Sequence, residues 1–165
     1  MEEPTFDLEA AVLAGLCGDR YMLTKAVDDG FRPELLHSPA AKIAATALLQ
    51  LKQQNTGGID LLLLKSHLDQ QGLLAPQVAE LLQVLANVPA PPLDRLLAYV
   101  DFLKERASRD ELIHMAHEMD SYARQKQAGQ PSVVEFTGSI VQQLLDIQKH
   151  RMRKRIRPVE DMVRK

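Results

Sequence analysis

The sequence predicts an all-α protein: a compact bundle of short helices followed by a long antiparallel helical hairpin. Composition is one reason. Leu and Ala dominate the 165 residues, only 4% are aromatic and Trp is absent, which suits helix packing rather than sheets. Apolar residues also recur at helical spacing along most of the chain. Finally, two long helical stretches near the C-terminus flank one marked turn, Ala128-Gly129-Gln130-Pro131, where Gly suits a left-handed cap and Pro cannot continue a helix.

The first half reads as short helices in series. Asp7 to Asp19 carries Leu8, Ala11, Val12, Gly15 and Leu16, and Tyr21 to Asp28 carries Met22, Leu23, Ala26 and Val27 before Gly30 stops it. Ser38-Pro39 reads as a cap and first turn, opening a helix to about Gln54 with Ile43, Ala47, Leu48 and Leu51 as its stripe. Asn55-Thr56-Gly57-Gly58 ends it. Asp60 caps a helix from Leu61 to Gln71 that Gly72 closes, and Pro76 opens another to about Asn87.

Three prolines in Val88-Pro89-Ala90-Pro91-Pro92 form the clearest boundary, because neither a helix nor an interior strand accommodates them. The expected organisation is therefore a bundle over 1–88 and a hairpin over 89–157. The first arm, Pro92 to about Gln127, presents Leu93, Leu96, Leu97, Val100 and Leu103. Ser108-Arg109-Asp110-Glu111 interrupts that stripe, which resumes at Leu112, Ile113, Ala116 and Met119 on a rotated face. The second arm opens with the capping box Ser132-Val133-Val134-Glu135 and offers Val133, Phe136, Ile140, Val141, Leu144 and Ile147. At 1.5 Å per residue the first arm spans roughly 50 Å, more than a small domain covers by itself. The hairpin is expected to project and pack on another chain. The expected self-association residues are Leu93, Leu96, Leu97, Val100, Leu103, Leu112, Ile113, Met119, Val133, Phe136, Ile140 and Leu144.

Chemistry-bearing motifs are sparse. No Gly is followed by Lys, so the phosphate-cradling loop is missing, and no catalytic, cofactor or metal residues are assigned. His114 and His117 lie three apart with Glu118 beside them, a spacing that can ligate metal, yet two ligands do not make a site. The formal charge of −2 gives no general attraction to nucleic acid. One basic run stands out: Lys149, Arg151, Arg153, Lys154, Arg155 and Arg157. It suits a helix C-terminus, where cations meet exposed carbonyls, and alternatively contact with DNA or an acidic partner. A single cysteine, Cys17, excludes an internal disulfide, and no apolar run is long enough to span a bilayer. A cytoplasmic location and no membrane partner are expected.

The order of several signals resembles the N-terminal domain of the DnaB-type replicative DNA helicases. Glu9, Val12-Leu13-Ala14-Gly15-Leu16 and Asp19 are similar to that domain's opening helix, although Ala14 stands where the family usually has Gly. Phe31, His37, Ile59-Asp60-Leu61, Leu64, Leu68 and Gln71-Gly72-Leu73-Leu74 resemble the next stretch, although the usual aromatic after His37 gives way to Ser38-Pro39-Ala40-Ala41. Tyr99-Val100, Lys104-Glu105-Arg106-Ala107, Arg109 and Glu111-Leu112-Ile113 resemble the start of its hairpin and are the most specific piece. The resemblance covers about the first 150 residues.

It implies a non-catalytic module in which hairpins pair between subunits, giving homodimers that build the collar of a hexameric ring. Such a collar docks primase and the helicase loader at the replication fork and encircles DNA. The resemblance assigns ATP and Mg to a RecA-like motor domain outside this sequence, with residues 158–165 as the start of a linker to it. Two other readings of the chain stay open: the helicase-binding C-terminal domain of a primase, and a stand-alone helical DNA-binding protein using the basic C-terminal stretch.

Overall fold

The computed structural model describes residues 4–54, 59–125 and 128–163, with side chains described over 8–54, 59–125 and 128–151. Among these residues the chain is all-α, as expected. The helices are α1 (Pro4–Gly18), α2 (Arg20–Asp28), α3 (Pro39–Gln54), α4 (Leu61–Gln70), α5 (Pro76–Asn87), α6 (Leu93–Arg124) and α7 (Val133–Val163), with a 3₁₀ turn over Pro33–Leu35.

Local chemistry sets most boundaries. Asp60 caps α4 by accepting from the Leu63 N–H at 2.8 Å, and the Ser38 hydroxyl accepts from the Ala41 N–H at 3.3 Å beside Pro39. Asp19 does not end the first helix. It caps the second, accepting from the Tyr21 N–H at 2.8 Å. The expected stop at 55–58 lies outside the described residues. Past the expected end near Arg157, α7 runs through Pro158 to Val163, giving up one backbone hydrogen bond.

By packing, the chain divides into two units at Arg106, not at the proline segment. In the first unit α1 is central. Glu9, Ala10, Val12, Leu13, Ala14, Leu16 and Cys17 are all buried, so most of the described surface of this helix is covered, as expected of a helix that is apolar on nearly every side. Helices α2, α3 and α5 pack on it, and α4 packs on α3 and α5. Close approach is possible at Gly15: a Cβ there would lie 3.1 Å from Leu96 Cδ1 and 3.3 Å from the Pro91 ring. The start of α6 completes this core, with Leu96, Val100 and Leu103 fully buried. The packing division falls at 106/107, so the residues just after the prolines lie in the first unit. Prolines end α5, but the apolar i, i+4, i+7 face after them belongs to the same core.

Candidate interaction surface

The second unit, residues 107–165, contains the end of α6, the turn and α7. Its turn is held by several devices. Gly129 sits at φ 91°, in the left-handed region that favours glycine. The Tyr122 hydroxyl donates to the Pro131 carbonyl, and the Tyr122 ring stacks on Phe136 with centroids 4.1 Å apart and planes 5° from parallel. The Ser132 hydroxyl accepts from the Glu135 N–H at 3.2 Å and caps α7.

Little of this unit is dry. Among its described residues only Met115 and Ile140 are buried hydrophobics, whereas Leu112, Ile113, Met119, Val133, Val134, Val141, Leu144 and Leu145 are exposed. Ile113 is 57% and Val134 81% exposed. A groove of about 540 Å³ runs between the arms near the turn, lined by Met119, Tyr122, Val133, Phe136, Ile140 and Val141 among others. Single exposed apolar residues are ordinary, but eight large ones on one small unit make it a candidate interaction surface.

The sequence-predicted association residues thus separate into two groups. Leu96, Val100 and Leu103 are corrected: the chain's own bundle covers them, since their face of α6 closes the first unit's core. Leu93 and Leu97 beside them are half-buried. Leu112, Ile113, Met119, Val133 and Leu144 do present apolar surface to solvent. Phe136 is half-buried against Tyr122, and Ile140 is buried within the second unit's small core. Sequence reasoning left Val134, Val141 and Leu145 out of the set, although all three are exposed; each follows in sequence a residue already in it, and a narrow stripe hid them.

The other candidates are dispersed. His114 Nε2 lies 2.9 Å from Glu118 Oε1, with the His114 side chain largely exposed and Glu118 half-buried, and His117 is also exposed. Among the described residues, no group of three or more His, Cys, Asp or Glu is placed to hold a metal ion. Lys149 is exposed and Arg151 half-buried. Arg153, Lys154, Arg155 and Arg157 share the backbone of α7, and their side chains lie outside the described residues. Cys17 is buried, and desolvation pushes its thiol from 9.0 up to about 12. No helix among the described residues is long and apolar enough to cross a membrane.

Several motif residues scattered through the sequence converge on one polar centre in the first unit. Glu9, 3% exposed, accepts from the His37 N–H at 2.8 Å, the Ser38 N–H at 3.2 Å and Arg106 Nη2 at 2.6 Å. Arg106 Nη2 also donates to the Leu35 carbonyl at 3.0 Å. Two residues before it, Lys104 donates to the Asp29 carbonyl and lies 4.0 Å from the Asp29 carboxylate.

Neither a protein-family model nor a curated protein sequence matches the chain. A solved structure does: the crystal structure of the N-terminal domain of DnaB helicase from Mycobacterium tuberculosis superposes with a TM-score of 0.72 at 21% identity, covering 87% of this chain and 99% of that one. The chain has the fold of a DnaB N-terminal domain.

Proposed function

We propose that the chain acts as the non-catalytic N-terminal domain of a replicative DNA helicase, joining subunits through the second unit and recruiting primase or the helicase loader. The observation that carries this reading is the wet apolar surface of the second unit, on a fold shared with such a domain. Each Val, Leu or Ile side chain moved fully out of water contributes roughly 1.5–3 kcal/mol, so pairing two such surfaces gives a strong drive to association. Dimers are the first product, and a ring collar of six subunits is the form expected beside a motor. ATP hydrolysis with Mg belongs to that motor, and DNA is met through the assembled ring.

The test uses the chain and the primase of the same organism. Immobilised chain should capture primase, and Ile113→Glu/Val134→Glu should lose self-association while its circular dichroism spectrum stays helical. A chain that neither self-associates nor captures primase or loader contradicts the reading.

A further inference from the structure

The buried pair formed by Glu9 and Arg106 joins α1 to α6 through a single guanidinium nitrogen. Arg106 Nη2 is fully used, but Nε and Nη1 are buried with no acceptor among the described residues. Taking a carboxylate and a guanidinium out of water costs several kcal/mol per ion, and unsatisfied N–H groups recover none of it. Apolar side chains in both places would hold the helices together at least as well.

The buried apolar residues of α6, by contrast, repeat at one-turn spacing. Leu96, Val100 and Leu103 are the buried residues, and Leu93 lies one turn before them. Sliding α6 one turn toward its own C-terminus places Leu93 in the site of Leu96, Leu96 in that of Val100, and Val100 in that of Leu103. All three sites stay filled by aliphatic side chains. The polar anchors do not survive the same move. Leu103 or Phe102 would replace Arg106 beside Glu9, leaving a buried carboxylate without its cation. Val100 or Asp101 would replace Lys104 beside the Asp29 carbonyl, leaving no donor there. We propose that the Glu9–Arg106 pair, seconded by Lys104, is a register lock: it selects one axial position of α6 in the first unit from positions that apolar packing alone leaves close in energy. This inference is independent of the proposed function.

The experiment is a distance measurement on the full chain. Spin labels at Thr46→Cys on α3 and Ala98→Cys on α6, both exposed positions, are introduced with Cys17→Ala. Double electron–electron resonance should give one narrow distance with Glu9 and Arg106 present. In Glu9→Leu/Arg106→Leu, a second population should appear, with α6 displaced by about 5.4 Å, the rise of one turn. Arg106→Leu alone should lower the folding equilibrium constant by roughly 10²- to 10³-fold, because it strands the buried carboxylate, and the double variant should recover most of that loss. Should the leucine pair not unfold cooperatively, Glu9→Gln/Arg106→Gln serves for the same distance measurement, with the same second population expected. A single unchanged distance in the folded double variant overturns the proposal. So does a single variant no less stable than the double.

Discussion

At Gly15, an added methyl would sit 3.1 Å from Leu96 Cδ1 and 3.3 Å from the Pro91 ring, so Gly15→Ala requires these side chains to give by a few tenths of an ångström. Overpacking costs about 1–3 kcal/mol and the gain in helix propensity offsets about 1 of it, so a net loss of up to about 2 kcal/mol is expected, read as a lowered urea midpoint with unchanged slope. Cys17 carries a second expectation. Its thiol titrates near 9.0 when unfolded and near 12 when folded, so the folded state holds the proton more tightly between those values. The stability this contributes is fully present below about 9 and is lost as pH rises toward about 12. Cys17→Ala should flatten that part of the alkaline stability profile, and the native thiol should resist alkylation at pH 8 until the chain unfolds. Glu9 shows what a single residue conceals. As one carboxylate near the N-terminus it carries no sign of burial, and only folding brings the 37–38 amides and Arg106 to it.

Among the elements, helix placement was largely legible because capping chemistry is local. Ser38-Pro39, Asp60, Pro76 and the Gly129–Ser132 turn each act within a few residues, and the helices begin or end there. What lay beyond local reading was which side of α6 belongs to which neighbour. Leu96, Val100 and Leu103 have the spacing of an association stripe, and Leu112, Ile113 and Met119 have it too. Only tertiary packing shows that the first set closes a core while the second stays wet. The pause at Ser108-Arg109-Asp110-Glu111 marks the change in sequence, and the packing boundary falls just before it. The turn supplies the prediction at this scale. Tyr122→Ala removes both the stack on Phe136 and the bond to the Pro131 carbonyl, so amide exchange around the turn and the first turn of α7 should quicken by about tenfold or more, consistent with a lost aromatic pair of about 0.5–1.5 kcal/mol plus a hydrogen bond. Exchange in α1 should be unchanged.

For the whole molecule, the decisive contrast is between the two units. The first buries a contiguous apolar core around α1, whereas the second keeps only Met115 and Ile140 dry and leaves eight large hydrophobic side chains exposed among its described residues. A two-helix unit with so small a core gains most from a partner that covers its open faces, and the proposed function makes a second copy that partner. The measurement that tests this most directly is sedimentation equilibrium of the unaltered chain over a dilution series from high to low micromolar. The account predicts a reversible shift from dimer to monomer on dilution, abolished by Ile113→Glu/Val134→Glu. A compact monomer at every concentration would contradict it.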